Sequence, residues 1–126
     1  MKTFCRLFVH TSRSQKELLE QIAFAIKGDI EHSSVFTLFL ELDVIKNENA
    51  DAELSRVFPD GFVHFNFSLE FETNESSDIA NYQQEIGTLL LFFWNNNCPA
   101  VAACDFETDL PFSGGYKNES LPWPGK

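Results

Sequence analysis

Apolar and polar side chains alternate without error along one stretch of the chain, from Val63 to Glu72. Successive side chains of a β-strand point to opposite faces of a sheet, so a period this strict indicates a half-buried strand. We therefore predict a strand over residues 62–72, in a sheet with one apolar and one solvated face. The apolar series is Val63, Phe65, Phe67, Leu69 and Phe71, and the polar series is His64, Asn66, Ser68, Glu70 and Glu72.

Three further segments carry strand patterns. Residues 3–10 and 35–44 alternate in the same way, and residues 99–106 form a short run of small apolar side chains. The first segment has Cys5, Leu7 and Val9 on one side and Arg6 and His10 on the other. The second has Phe36, Leu38, Leu40, Leu42 and Val44 on one side, and Val35, Thr37, Phe39, Glu41 and Asp43 on the other.

Two segments have the spacing of amphipathic helices. Ser14 is a candidate N-cap with Glu17 three residues later, and Gly28 lies at the expected end of that helix. Ser76 or Ser77 is a candidate cap for a second helix that reaches about Asn96. The apolar stripes are Leu18, Leu19, Ile22 and Ile26 in the first helix, and Ile79, Tyr82, Ile86, Leu89, Leu90 and Phe93 in the second.

The predicted order of elements is β-α-β-β-α-β, which is the ferredoxin-like arrangement. We therefore expect an α+β fold in which a four-stranded antiparallel sheet carries two helices on one face. A chain of 126 residues fits a single domain with a real core. We expect residues 1–126 to form one domain, with a compact part over about residues 1–110 and an irregular C-terminal segment over about residues 111–126.

The charge of the chain is concentrated in its middle. The formal net charge is -10, and no Lys or Arg occurs between Val57 and Tyr116. Binding to nucleic acid depends on clustered Lys and Arg, so this composition argues against a nucleic-acid ligand. With no signal-peptide pattern and no membrane-spanning run, we expect a cytoplasmic protein. The nine acids of this region are Asp60, Glu70, Glu72, Glu75, Asp78, Glu85, Asp105, Glu107 and Asp109.

Four of the acids of the chain would share the solvated face of the predicted sheet. In the expected topology Glu41 and Asp43 lie beside Glu70 and Glu72, with Phe39 exposed next to them. A surface of one sign attracts partners of the opposite sign and speeds their encounter. The alternative is an ordinary solvated sheet face. The pattern thus offers a candidate binding surface for a cationic partner.

A second acidic group follows the last predicted strand. Asp105, Glu107 and Asp109 alternate with other residues, so their carboxylates would point the same way if the chain stayed extended. The group lacks the glycine turn and terminal Glu of a calcium loop, and we predict an acidic rim or a solvated strand end without a metal. Tyr116 and Trp123 are candidate interface anchors. Trp123 could equally fold back over the edge of the sheet.

Catalytic motifs are absent from the sequence. There is no nucleophile elbow, no phosphate-binding glycine loop and no pair of histidines at metal-ligand spacing, so we expect no cofactor. His10 and His64 could lie near Glu70 on the solvated face, which leaves a small enzyme or ligand-binding domain as the alternative. Cys5, Cys98 and Cys104 lack C-x-x-C spacing and are expected to be buried free thiols.

Two segments carry a resemblance. The sequences GFVHFNFSLEFE (61–72) and PAVAACDFETDLPFSGGY (99–116) resemble small bacterial proteins, and the whole profile is similar to immunity proteins of contact-dependent growth inhibition systems. The resemblance implies a cytosolic protein that binds one cognate toxin domain, often a basic nuclease, and blocks its active site. It assigns no role to particular residues, because immunity proteins share a function and not a motif.

Overall fold

The protein has an α+β fold, and its computed structural model describes residues 4–73 and 78–126. In these residues two helices accompany one antiparallel sheet of six strands, in the order β2-β3-β4-β5-β1-β6. The first residue of the strand predicted over residues 3–10 lies outside the described residues, as do Glu75, Ser76 and Ser77. The elements are β1 (Cys5–Val9), α1 (Gln15–Ile26), β2 (Asp29–Glu31), β3 (Ser34–Phe36), β4 (Leu40–Lys46), β5 (Phe67–Thr73), α2 (Ile79–Asn95) and β6 (Ala100–Cys104).

Helix α1 begins at the predicted cap. The Ser14 side chain accepts a hydrogen bond from the backbone of Glu17, and the Glu17 side chain accepts one from the backbone of Ser14. Lys27, and not Gly28, adopts the left-handed conformation at the end of the helix. Gly28 is required for a different reason: a Cβ there would lie 2.6 Å from Cγ1 of Val35. The chain can therefore turn directly from α1 into the sheet.

Helix α2 is capped by Asp78, whose side chain accepts a hydrogen bond from the backbone of Ala80. The predicted apolar stripe is confirmed from Tyr82 onwards, and it packs with the buried face of α1 against one face of the sheet. The core lies between these two layers. Its sheet side chains include Cys5, Leu7, Val9, Leu40, Leu42, Val44, Phe67, Leu69, Phe71, Ala100 and Ala102.

The prediction of one strand over residues 35–44 is wrong, because this segment contains parts of two strands, β3 and β4, joined by a turn. The chain reverses at Thr37, whose hydroxyl accepts hydrogen bonds from the backbone N–H groups of Phe39 and Leu40. Strands β3 and β4 are consequently antiparallel neighbours, and β2 adds a further strand at the edge. Val35, expected on the solvated face, is fully buried in the core, whereas Leu38 is 74% exposed in the turn.

The alternating stretch also departs from the prediction, because its first part is not a strand. Residues Asp60–His64 form a 3-10 helix, and β5 begins only at Phe67. The backbone carbonyls of Val63 and Phe65 are held by the side-chain amide of Asn47, at 2.8 and 2.7 Å. Phe65 therefore leaves the alternation and packs with Phe8 and Val101, apart from the main core.

Phe8, Phe65 and Val101 form a second, smaller apolar cluster on the sheet face that the helices leave uncovered. Phe62 and Trp123 pack against this cluster from outside. One half of the second face, over β1 and β6, is therefore covered by residues 60–65 and by the C-terminal segment. No helix within the described residues is long and apolar enough to cross a membrane.

Candidate partner-binding surface

The four predicted acids of the second face do lie side by side. Strands β4 and β5 pair so that Glu41 is directly opposite Glu72, and Asp43 is directly opposite Glu70. Their neighbours Leu42, Leu69 and Phe71 point into the core, so the carboxylates project from the opposite face. We call Glu41, Asp43, Glu70 and Glu72 the acidic face.

Two of these carboxylates are compensated by neighbouring side chains. Glu70 accepts a hydrogen bond of 2.6 Å from the Arg6 guanidinium, which lies opposite it on β1. Asp43 accepts a hydrogen bond from the Ser34 hydroxyl, which lies opposite it on β3. The charge on this half of the acidic face is therefore partly satisfied within the fold.

The other pair, Glu41 and Glu72, is not neutralised by any ion pair within residues 4–73 and 78–126. Partial burial raises the pKa of the Glu41 carboxyl, and the negative charges of Asp43, Glu72 and Glu31 raise it further. Glu31 comes from β2, so the negative potential extends across three strands. Like charges directly opposite each other destabilise a sheet, so this arrangement weakens the fold slightly.

An aromatic side chain that the sequence analysis assigned to the core lies beside this pair. Phe36 on β3 is opposite Glu41 and follows the buried Val35, so it shares the face of Glu41 and is partly exposed. Phe36, Ser34 and Glu31 were missed because residues 35–44 were assigned to one strand. The local signal was weak: the alternation Asp29-Ile30-Glu31 is short, and the His32-Ser33 turn after it lacks the Gly or Asn typical of a hairpin turn.

Phe39 is not part of the paired strands that carry the acidic face. It belongs to the turn between β3 and β4, where its backbone N–H is bonded to Thr37 Oγ1 at 3.1 Å, and its side chain is partly buried. The aromatic residue that the strand register places directly opposite Glu41 is Phe36.

The second acidic group is not extended. Strand β6 ends at Cys104, and Glu107–Asp109 form a 3-10 turn, so the condition for three parallel carboxylates is not met. Glu107 Oε1 turns back to accept a hydrogen bond of 3.3 Å from the Cys104 backbone. Asp109 lies near Gly87 and Leu91 on the outer side of α2. Asp105 and Asp109 are exposed, but the group does not form one array.

Both candidate anchors in the C-terminal segment contact the rest of the protein. Tyr116 donates a hydrogen bond of 2.6 Å to Asp60, and its ring meets that of Phe62 edge-on. Trp123 Nε1 donates to the Arg56 carbonyl at 2.9 Å, and its ring contacts Phe65 with centroids 5.3 Å apart. Trp123 thus folds back over the sheet, which was the second of the two possibilities for this residue.

The two histidines occupy different environments. His64 is in the 3-10 helix, with Nδ1 2.8 Å from the Asn49 carbonyl. His10 packs on Phe65, and burial lowers its pKa. His10 also lines a pocket of about 500 Å³ between the start of α1 and the end of α2, together with Arg13 and Cys98. No described grouping of three or more His, Cys, Asp or Glu side chains could hold a metal ion.

In comparisons with known proteins, no protein-family model, curated protein or solved structure matches the chain.

Proposed function

We propose that this protein is a cytoplasmic immunity protein that binds a cationic nuclease toxin domain and occludes its active site with the acidic face. A nuclease must be cationic where it holds phosphates, and an array of carboxylates can fill such a cleft. Charge would steer the encounter between the two proteins. Phe36 would supply the desolvated contact that holds the complex together.

The observation that carries the proposal is the uncompensated pair Glu41 and Glu72. Opposed like charges cost stability, and the cost is offset when a cationic partner binds between them. The aromatic cluster covers only the half of the second face above β1 and β6. The half that holds Glu41 and Glu72 retains solvent access, with Glu72 exposed and Glu41 partly exposed.

We further propose that the fold is a ferredoxin-like core with an added edge hairpin. The order of the inner strands, β4-β5-β1-β6, supports this assignment. The four strands predicted from the sequence correspond, in chain order, to β1, β4, β5 and β6, and a ferredoxin-like sheet places the second beside the third, the third beside the first and the first beside the fourth. Strands β2 and β3 then extend the sheet beside β4. Asp105, Glu107, Asp109, Tyr116 and Trp123 stay predicted partner contacts.

Co-expression with the protein encoded by the adjacent gene tests the function. We expect the adjacent protein alone to arrest growth, and this chain to restore growth through a stable 1:1 complex. The double variant Glu41→Gln/Glu72→Gln should associate about tenfold more slowly and with a weaker dependence on salt. Surface plasmon resonance at two salt concentrations measures both effects.

The matched control is Glu20→Gln/Glu53→Gln, which removes the same charge from exposed positions outside the acidic face. We expect this control to bind like the natural sequence. Equal slowing in the two double variants would mean that net charge, and not the acidic face, drives binding. If Glu41→Gln/Glu72→Gln forms the complex at the normal rate and with the normal salt dependence, the acidic face is not the binding surface.

The pocket beside His10 favours one second candidate, a small ligand-binding domain. Nδ1 of His10 is buried and has no hydrogen-bond partner among the described residues. A polar ligand in the adjoining pocket could satisfy this atom. An adjacent gene that encodes a metabolic enzyme, together with no growth arrest on its expression, would favour this candidate over immunity.

A further inference from the structure

Two of the three cysteines lie directly opposite each other on neighbouring strands. Cys5 of β1 is in register with Cys104 of β6, and both are free thiols. Opposed residues of antiparallel strands have Cα atoms about 4.5–5.5 Å apart. Disulfides bridge Cα separations of about 4.4–6.8 Å, so these two sulfurs can be joined with little movement of the backbone.

The two thiols differ in access and in ionisation. Cys5 is completely buried, whereas Cys104 is partly exposed. A hydrogen bond between the two lowers the pKa of Cys104, and the Phe106 backbone N–H lowers it further, against burial and the carboxylates of Glu107 and Asp105. The same hydrogen bond and burial raise the pKa of Cys5. Cys104 is therefore the nucleophile of the pair, and Cys5 keeps its proton.

We propose that Cys104 and Cys5 form a modification site for small-molecule disulfides such as oxidised glutathione. The Cys104 thiolate attacks one sulfur of glutathione disulfide, which forms a mixed disulfide and releases one glutathione thiolate that takes up a proton. Cys5 then attacks the Cys104 sulfur and passes its proton to the departing glutathione thiolate, which leaves as the second glutathione. Counted from two thiols, with the Cys104 proton already released to solvent, the protein loses two protons and two electrons, and the glutathione disulfide gains them as two thiols.

The first step of this sequence prepares the second. In the mixed disulfide, Cys104 no longer carries the charge or the hydrogen bond that held the proton on Cys5. The buried thiol then lies opposite the Cys104 sulfur on the neighbouring strand. Closing the bond would tie the edge strand β6 to β1, on the helix side of the sheet. The site is therefore independent of the acidic face.

Cys98, the third cysteine, is an internal control for the reactivity of Cys104. Cys98 donates its thiol hydrogen to the His10 carbonyl at 3.4 Å, and burial raises its pKa to about 12. A protonated thiol is a poor nucleophile, so Cys98 should react with glutathione disulfide at least about tenfold more slowly than Cys104.

The experiment incubates the folded full-length protein with oxidised glutathione near neutral pH, alkylates the remaining thiols, and maps the products by mass spectrometry. We expect the protein to lose two hydrogen atoms before alkylation and then to gain one alkyl group, with Cys5 joined to Cys104 and the alkyl group on Cys98. Cys98→Ser should give the same crosslink at the same rate. Cys5→Ser should stop at a glutathione adduct on Cys104.

Three outcomes would overturn the proposal. The first is a crosslink that forms only after unfolding in urea, and the second is an adduct that appears on Cys98 before Cys104. The third is a folded Cys5→Ser protein, judged by circular dichroism, that gains no adduct on Cys104. The first two outcomes are measured on the natural sequence, so they do not depend on whether the Cys5 variant folds.

Discussion

At the scale of single residues, Glu41 is held where its charge is unfavourable. Its folded-state pKa is raised, so the folded protein favours the protonated carboxyl. The stability that this group contributes is present below its unfolded pKa and is lost as the pH rises through the folded pKa. We expect Glu41→Gln to raise the free energy of unfolding by about 0.5 kcal/mol at neutral pH, a value reduced by solvent screening.

Urea unfolding at a series of pH values checks this prediction. The advantage of Glu41→Gln should be small below pH 4.5, the ordinary pKa of a Glu side chain, and should grow as the pH rises towards neutral. Glu20→Gln, at an exposed position on α1, is the control and should change stability little at any pH. If the stability gained by Glu41→Gln decreases as the pH rises, the raised pKa that we assign to Glu41 is contradicted.

At the scale of elements, the sequence predicted those segments whose periodicity matched their packing. Helices α1 and α2 and strand β1 formed as expected, because each buries one regular side against the core. The β3–β4 reversal depends on the Thr37 hydroxyl, and no Gly, Pro, Asn or Asp marks it. The turn of Phe65 onto the second face depends on Asn47, eighteen residues away. Tertiary contacts of this kind override a local alternation.

The acidic face could be predicted in part for the same reason. Glu70 and Glu72 lie in the regular part of β5, and Glu41 and Asp43 lie in β4, so their common face followed from alternation alone. Ser34 and Phe36 reach that face only because of the β3–β4 turn. The extended chain that an array at residues 105–109 requires is not present, because Glu107 bonds back to the Cys104 backbone in a tight turn.

The docking of the C-terminal segment depends on Trp123. Its ring contacts Phe58 and Phe65, and its indole N–H is bonded to the Arg56 carbonyl. We expect Trp123→Ala to lower the free energy of unfolding by about 2 kcal/mol, less than for a fully buried tryptophan because this side chain is partly exposed. Thermal and urea unfolding measure the loss. Carboxypeptidase digestion should release residues of the segment faster in the variant.

Trp123→Phe is the matched variant for this element. It keeps ring contacts with Phe58 and Phe65 but removes the hydrogen bond to Arg56, so a loss of about 1 kcal/mol is expected. Unchanged stability and digestion in Trp123→Ala would mean that the segment does not hold the second apolar cluster in place. Trp123 would then be available as an interface anchor.

At the scale of the whole molecule, the net charge of -10 and the acidic face make separate contributions to stability. Salt screens both, but opposed carboxylates on adjacent strands are much closer than acids scattered over the surface. We expect the free energy of unfolding to rise by about 0.5–1 kcal/mol between about 0.05 M and 0.5 M NaCl. In Glu41→Gln/Glu72→Gln the rise should be less than half as large.

The double variant Glu20→Gln/Glu53→Gln separates the two contributions, because it has the same net charge as the face variant. If close repulsion across β4 and β5 dominates, this control retains most of the salt dependence of the natural sequence. Urea unfolding at the two salt concentrations gives the comparison. If both double variants reduce the salt dependence of the free energy of unfolding equally, that dependence comes from net charge. Such a result would contradict the destabilising repulsion that we ascribe to Glu41 and Glu72.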